Sequence, residues 1–272
     1  MLRAADVSFS YHAQSAPVLR GVSLDVPAGG FVGILGPNGS GKTTLLRMLA
    51  GTRQPSSGAV SIDGTDLSRL PRTTLARRMA IVPQDTHLAF DFTALEVVLM
   101  GRYPHLSTFE IEGPRDLAIA RSALAATGTA EFEDRLFATL SGGEKQRVVI
   151  ASALAQISPG SASAILLLDE PTAALDLAYQ LEVAALLRDL QQRTSIAIVV
   201  STHDLNFAAA LCRTLVLLKD GRVLAAGPTA DVLNPHNIRA LYGVEAEIQA
   251  NAGAGHLVVI PIKRVTTEDR RR

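Results

Sequence analysis

The chain has 272 residues, of which 47% are hydrophobic and 19% charged, so it can bury the core of one large domain or of one domain with a subdomain. Its 26 basic and 26 acidic side chains cancel, which argues against nonspecific nucleic-acid binding because that needs a surplus of positive charge. The single cysteine, Cys212, excludes an intrachain disulfide, and we expect it to be a small buried hydrophobe in a reducing compartment.

Short, nearly unbroken apolar runs predict the strands of a parallel sheet. Four of them are GGFVGILG, MAIVP, AILLLDEP and SIAIVVST, and runs rich in Ile and Val are typical of strands covered on both faces. Segments of helical period separate them, notably TTLLRMLAG and LAYQLEVAALLRDLQQR. This alternation predicts an α/β fold. An Asp-Gly pair between apolar stretches in VSIDGTDL and in LVLLKDGRVLAAG predicts two antiparallel hairpins.

The pattern changes between Asp85 and Gly160, where helical periods continue without a buried strand and predict a helical insertion. We divide the chain into a first core segment (1–85), a helical subdomain (86–160), the rest of the core (161–243) and a C-terminal extension (244–272). The stretch Ser158–Ala164 is expected to be a flexible return, and RVTTEDRRR at the C-terminus a frayed, solvated tail. Neither an apolar signal-peptide region nor a run of about 18 apolar residues is visible, so we expect a soluble chain that reaches a membrane only through a partner.

A phosphate-binding loop follows the strand FVGIL and opens the helix TTLLRML. The stretch GPNGSGKTT contains G-x-x-x-x-G-K-[ST] in full, and its glycines let backbone N–H groups turn toward phosphate oxygens. The helix N-terminus adds about half a positive charge. Lys42 is expected to reach the β- and γ-phosphates, and the Thr43 hydroxyl to ligate Mg²⁺. The predicted nucleotide-binding residues here are Gly36, Pro37, Asn38, Gly39, Ser40, Gly41, Lys42, Thr43 and Thr44.

Two adjacent acids occur in ILLLDEP, where a buried strand ends at Asp169 and Glu170 follows it. This is the edge of the sheet where ligands of parallel sheets collect. Asp169 is expected to hold Mg²⁺ through water. Glu170 would project toward the γ-phosphate and polarise the attacking water.

These segments together resemble the nucleotide-binding subunit of ATP-binding cassette (ABC) transporters, over nearly the whole chain. The P-loop, the Gln84 of VPQ, LSGGE, ILLLDEP, AALD and the His203 of STHD follow that family's order and spacing. The resemblance implies a P-loop NTPase (RecA-like) core with an antiparallel β subdomain and an inserted helical subdomain, using ATP and Mg²⁺. It also implies that Tyr11 stacks on adenine and that Gln84 completes the Mg²⁺ shell.

Roles for three further parts of the chain follow from the same resemblance. His203 would hydrogen-bond the γ-phosphate and orient Glu170, so that Lys42, Glu170 and His203 form the catalytic set. Two copies would pair head to tail, with Ser141, Gly142 and Gly143 of one closing over the ATP held by the other. Asp176 would contact the partner subunit. A local alternative for SGGE is a capping box at a helix start, S-x-x-E, which can coexist with phosphate binding.

The segment FDFTALEVVLMGRYPHL resembles ATPases that serve ferric-siderophore, haem and cobalamin importers. This implies separate membrane permease subunits, indirect contact with a substrate-binding protein, and a peripheral position on the cytoplasmic face of the inner membrane. These residues face the membrane partner and not the cargo, which we expect from the resemblance to be a metal chelate such as an iron-siderophore, haem or cobalamin. The alternatives are an ATPase of another importer class, a soluble ABC protein outside transport, and an unrelated P-loop enzyme that would leave LSGGE and STHD unexplained.

Overall fold

The computed structural model describes residues 1–12, 16–86, 90–157, 164–173, 175–251, 253 and 255–265. Its strands are β1 (Leu2–Phe9), β2 (Leu19–Val26), β3 (Phe31–Leu35), β4 (Ser57–Ile62), β5 (Thr65–Asp66), β6 (Met79–Val82), β7 (Ile165–Asp169), β8 (Ala197–Thr202), β9 (Thr214–Lys219), β10 (Arg222–Pro228), β11 (Val244–Asn251) and β12 (His256–Arg264). Its α-helices are α1 (Lys42–Leu49), α2 (Arg72–Arg78), α3 (Ala94–Met100), α4 (Pro114–Ala126), α5 (Gly142–Gln156), α6 (Leu177–Arg193), α7 (Leu205–Leu211), α8 (Thr229–Val232) and α9 (Pro235–Tyr242).

A six-stranded sheet in the order β10-β9-β3-β8-β7-β6 forms the centre of the molecule. Adjacent strands of this sheet run parallel, except that β10 is antiparallel to β9. The four predicted apolar strands lie here as β3, β6, β7 and β8, and all are nearly or fully buried. Because parallel strands share one carboxyl edge, the loops after these strands converge there.

The sheet is covered on both faces, as its continuous apolar strands predict. Along β7, Leu166 and Leu168 pack with α5, α6, α7 and part of the C-terminal extension. The alternate residues Ile165 and Leu167 pack on the other face, with α1 and with a second sheet. That sheet is antiparallel, in the order β2-β1-β4-β5.

Both predicted hairpins are present, as β4–β5 and β9–β10. Their Asp-Gly pairs have positive φ at both residues, 50° and 81° at Asp63-Gly64 and 48° and 75° at Asp220-Gly221. Positive φ at both central residues defines the type I′ turn, whose twist matches that of the flanking strands.

The helical insertion has a hydrophobic core of its own, built from α3, α4, α5 and the turns between them. The helix α3 begins with a capping box between Thr93 and Glu96. In the described part of this region, strand-type pairing is limited to an isolated bridge between Thr93 and Leu136. Most of the stretch expected to be a flexible return, 158–163, lies outside the described residues.

The C-terminal extension was not predicted to contain strands, yet β11 and β12 form an antiparallel hairpin. The expectation of a frayed tail is wrong at its first two residues, because Arg264 pairs with Val244 and the Val265 N–H donates to the Gly243 carbonyl. The rest of that tail, 266–272, lies outside the described residues.

Cys212 is buried, as predicted, and burial raises the pKa of its thiol. Among the helices that the structure describes, none combines the length and apolarity required to span a bilayer.

Candidate active site

The loop from Gly36 to Gly41 joins β3 to α1 at the carboxyl edge of the sheet. It enters the helix through Gly41, the N-cap, whose φ of 104° is a conformation that other residues rarely adopt. The hydroxyl of Ser40 is buried and has no hydrogen-bond partner among the described residues. The sequence-predicted loop therefore has a glycine-dependent turn directly at a helix N-terminus.

A cavity of about 440 Å³ lies over this loop and combines residues from distant parts of the chain. The Gln84 side chain, exposed just after β6, reaches the same cavity as Glu170, which follows β7. The lining residues are Tyr11, Val18, Asn38, Gly39, Gly41, Lys42, Thr43, Thr44, Gln84 and Glu170. The fold thus gathers most of the predicted nucleotide-binding set.

Lys42 is 5% exposed, and its ammonium group lies within the loop. Its Nζ donates to the carbonyls of Gly36 at 2.9 Å and Pro37 at 3.3 Å. It also forms an ion pair with Glu170, with Nζ 3.0 Å from Oε1. Since a buried charge needs a partner, this carboxylate balances the lysine.

Asp169 accepts two hydroxyl hydrogen bonds on the same oxygen, Oδ1. Thr43 donates across 3.1 Å and Ser201 across 2.6 Å. A carboxylate beside a hydroxyl at the end of the phosphate loop is an oxygen donor set of the kind that Mg²⁺ prefers. The residues present therefore fit a magnesium ion.

Glu170 is held at three points. Its backbone N–H donates to the carbonyl of Ser201 at 3.0 Å, and its φ of 45° is unusual for a residue with a side chain. Its carboxylate contacts Lys42 through Oε1 and His203 through Oε2, 3.0 Å from the imidazole Nδ1. The side chain is 10% exposed, whereas that of His203 is 51% exposed. A carboxylate fixed between an ammonium and an imidazole has the geometry of an oriented base.

Tyr11 follows β1 and is 48% exposed. Its ring packs edge-on against Phe9, with centroids 5.0 Å apart, and its hydroxyl lies 3.1 Å from the Thr44 hydroxyl. The ring is thus placed beside the first turn of α1, with one side available to the cavity.

Ser141 is the N-cap of α5, and the predicted capping box is present. The Ser141 Oγ accepts from the Glu144 N–H at 3.3 Å, while the Ser141 N–H donates to Glu144 Oε2 at 2.7 Å. That second bond is the main reason why the pKa of the Glu144 carboxyl is lowered. The local interpretation of this motif is therefore confirmed.

Gly143 has a structural reason to be glycine. A Cβ at this position would lie 2.1 Å from Cδ1 of the Tyr179 ring, where α6 packs against α5. At Gly142 the nearest atom would be Leu175 Cδ2, at an ordinary 3.5 Å. The two glycines of the motif are therefore not equivalent.

Asp176 caps α6, because its carboxylate accepts the Tyr179 N–H at 3.1 Å. The residues that line the P-loop cavity do not include Ser141, Gly142, Gly143 or Asp176. Within the described part of one chain, the two predicted phosphate cradles are thus separate.

Sequence reasoning missed two residues of this site. Ser201 pairs with Asp169 in the β7–β8 register, and its signal was its place in STHD, two residues before His203, at the end of a buried strand. Tyr242 donates its hydroxyl to the His203 carbonyl at 3.4 Å, and no motif marks it.

Known proteins resemble this chain in both sequence and structure. A family model described as ABC transporter matches residues 19–173. A hemin import ATP-binding protein of Pseudomonas aeruginosa is 40% identical over 96% of this chain and 99% of that protein. A hemin import ATP-binding protein of Gloeobacter violaceus is 44% identical, over 90% and 89%. A cobalamin import ATP-binding protein of Halobacterium salinarum is 42% identical over 90% of this chain, which spans 60% of that relative's length.

Among solved structures, a metal-chelate type ABC transporter in an inward-facing conformation has a TM-score of 0.83 and 31% identity, covering 96% of this chain and 97% of that one. A bacterial ABC transporter cassette solved as a dimer has a TM-score of 0.72 and 31% identity, covering 84% and 99%. The chain belongs to the ABC transporter family and is an ATPase cassette of that family.

Proposed function

We propose that this chain hydrolyses ATP with Mg²⁺ as a head-to-tail homodimer and thereby powers uptake of a metal chelate through separate membrane subunits. The observation that carries this proposal is the placement of Glu170 between Lys42 and His203 beside the phosphate loop. Hydrolysis needs a cation for the phosphates and an oriented base for the attacking water. Lys42 would be the cation, and Glu170, in contact with both Lys42 and His203, would be the base.

Binding of the triphosphate begins at the loop and the N-terminus of α1. Phosphate oxygens would take backbone N–H groups of the loop and the Lys42 ammonium as partners. Lys42 now contacts Glu170 Oε1, so a γ-phosphate that takes over the lysine would free that oxygen for water. The Tyr11 ring, half exposed at the cavity, is suited to pack on the adenine base.

Thr43, Asp169 and Gln84 would hold Mg²⁺, which supplies positive charge to the phosphate oxygens when bound. Ser201 would keep the Asp169 carboxylate oriented through its 2.6 Å hydrogen bond.

Glu170 would accept the proton of the attacking water while His203 fixes the orientation of the carboxylate. Its contact to His203 uses Oε2 alone, so Oε1 remains the reactive oxygen. The positive φ of Glu170 is an unusual backbone conformation, and its N–H bond to the Ser201 carbonyl helps to hold it.

A head-to-tail homodimer would bring Ser141, Gly142 and Gly143 of one copy onto the phosphates held by the other. Support comes from their separation from the P-loop cavity within one chain and from the dimeric cassette that this chain resembles. The capping box leaves the N-terminus of α5 ordered, with its positive dipole end available for an anion.

Import of a chelate is supported by relatives named for hemin and cobalamin import and by a structural neighbour of the metal-chelate type. The chain would sit on the cytoplasmic face of the membrane, bound to permease subunits and acting indirectly with a substrate-binding protein. Which chelate is carried would be decided by measuring ATP-dependent uptake of haem, cobalamin and a ferric siderophore with the permease encoded beside it.

The test of the ATPase site is Glu170→Gln. We expect ATP binding to persist and turnover to fall by about a hundredfold or more, since the amide cannot accept the proton. Steady-state phosphate release and ATP affinity would be measured, with the exposed Glu131→Gln as a control. Turnover equal to wild type in Glu170→Gln would remove this residue from the mechanism.

A further inference from the structure

The C-terminal hairpin is attached to the helix that follows His203. The side-chain amide of Asn206, in the first turn of α7, makes two hydrogen bonds to the backbone of Val259 in β12. Its Nδ2 donates to the Val259 carbonyl at 3.2 Å, and its Oδ1 accepts the Val259 N–H at 2.8 Å. Because both ends of one amide are used by one residue of the strand, α7 and β12 are held in a fixed register.

A second contact comes from Tyr242, the last residue of α9 before the hairpin. Its hydroxyl donates to the backbone carbonyl of His203 at 3.4 Å. Burial, followed by the negative charges of Glu170 and Asp204, raises the pKa of Tyr242, so the phenol stays protonated and remains a donor at neutral pH.

The His203 side chain is weakly held. Half of it is exposed, and its polar contact within the described part of the chain is the one to Glu170. The next residue, Asp204, caps α7 by accepting the N–H groups of Asn206 and Phe207. The direction of the imidazole therefore depends on where the backbone at the start of α7 is placed.

We propose that the C-terminal hairpin, through Asn206 and Tyr242, is a positioning element for His203 in ATP hydrolysis. The inference rests on the proposed function, because it assumes that His203 acts on Glu170 and the γ-phosphate. It assigns a positioning role to Tyr242 and to the Val259 backbone, both of which lie outside the region matched by the family model.

A purely structural role is the competing explanation. Val259 and Ala246 of the hairpin belong to the main hydrophobic core, so the hairpin also contributes to folding. The two roles differ in one respect. If the hairpin positions His203, changes at Asn206 or Tyr242 lower kcat only while the imidazole is present. If its role is structural, they lower kcat by the same factor after His203 has been replaced.

The experiment compares wild type, Tyr242→Phe, Asn206→Ala and His203→Ala, with both single changes repeated in the His203→Ala background. Gln249→Ala, on the exposed side of β11 and hydrogen-bonded to Glu247, is the control within the hairpin. For each variant, kcat and KM for ATP and the Tm would be measured. Tyr242→Phe removes a single oxygen, so it stays informative even if Asn206→Ala folds poorly.

We expect kcat to fall about threefold in Tyr242→Phe and about tenfold in Asn206→Ala, the range that one or two uncharged hydrogen bonds give. KM should stay unchanged because the phosphate loop is intact, and neither change should lower kcat further once His203 is alanine. Equal effects in both backgrounds, or wild-type kcat in Tyr242→Phe and Asn206→Ala, would overturn the positioning role while leaving the ATPase proposal intact. If wild type and His203→Ala hydrolyse ATP equally, the proposed role of His203 itself fails.

Discussion

At the scale of residues, the buried ion pair of Lys42 and Glu170 contributes to the stability of the fold and lies at the proposed ATPase site. The two side chains are 4% and 10% exposed, and the nitrogen and oxygen lie 3.0 Å apart. Removing one partner leaves the other charge buried without compensation, which is costlier than losing an exposed ion pair.

Lys42→Ala is therefore expected to lose ATP binding and also to lower the free energy of unfolding by about 3 kcal/mol. Nucleotide affinity by calorimetry and urea unfolding at neutral pH would measure the two effects. Lys263→Ala, on the exposed face of β12, should change neither by much. Retained ATP affinity in Lys42→Ala would contradict the assignment of this lysine.

Gly143→Ala tests why the second glycine of LSGGE is needed. Its Cβ would lie 2.1 Å from the Tyr179 ring, so we expect a destabilisation of about 1–3 kcal/mol from overpacking. Gly142→Ala is the matched control, because its Cβ would be at van der Waals distance from Leu175 and alanine is the better helix former. Thermal unfolding of the two variants would compare them, and equal stability would show that α5 and α6 separate easily.

At the scale of elements, a largely buried ion pair between Arg102 and Asp116 adds to the hydrophobic core of the helical insertion. Arg102 donates to Asp116 at 2.9 Å and to the carbonyl of Ala155 at the end of α5, and it is 5% exposed. Asp116 also accepts the N–H of Gly113 at the start of α4. This ion pair therefore links α4, α5 and the turn after α3.

The hydrogen bond from Arg102 is the largest reason why the pKa of Asp116 is lowered. A group with a lowered folded-state pKa stabilises the fold above its unfolded value and loses that contribution as the pH falls through the folded value. Asp116→Asn should thus cost about 3 kcal/mol at pH 7, with a smaller difference from wild type below the ordinary carboxyl value of 3.8.

Urea unfolding at several pH values would measure this difference. Asp189→Asn is the control, because its pair with Arg193 is exposed and should contribute only about 0.3–0.5 kcal/mol. A difference between Asp116→Asn and wild type that does not change with pH would exclude the ion pair as its cause.

At the scale of the whole molecule, we propose that the two predicted phosphate cradles have separate tasks, with ATP binding at the P-loop and ATP hydrolysis dependent on Ser141–Gly143 of a second copy. The described residues that line the P-loop cavity include Tyr11, Lys42 and Gln84, while the N-terminus of α5 is not part of it. We therefore expect Ser141→Arg to bind ATP normally and to lose hydrolysis, because the arginine would obstruct only the surface that closes on a second copy.

ATP affinity, phosphate release and ATP-dependent dimerisation in the Glu170→Gln background would test Ser141→Arg. Ser141→Thr keeps the hydroxyl that caps α5 and should lose less than Ser141→Arg, which separates loss of the cap from obstruction. Loss of ATP binding in Ser141→Arg would argue against two separate cradles.

Many residues of the candidate site could be predicted because they occur in short, continuous stretches of sequence. The phosphate loop needs glycines at fixed spacing before a helix, and the acids need a buried strand that ends beside that loop. Both patterns can therefore be recognised in the sequence, as GPNGSGKTT and ILLLDEP. The capping box of Ser141 and Glu144 is local for the same reason. The Asp-Gly pairs likewise predicted both hairpins.

The partners that hold these groups come from elsewhere in the chain, and the tertiary structure alone decided them. Ser201 reaches Asp169 because β7 and β8 pair in one register, and the Tyr179 ring reaches Gly143 because α5 and α6 pack together. Tyr242 reaches the His203 carbonyl, and Val259 of the β11–β12 hairpin reaches Asn206 in α7, through contacts that no local pattern encodes. The sequence by itself determined which groups are predicted to bind and cleave ATP, since backbone propensity and motif spacing are local properties. Only the packed molecule decided how those groups are aimed, because their orientation is fixed by hydrogen bonds and side-chain contacts between distant segments.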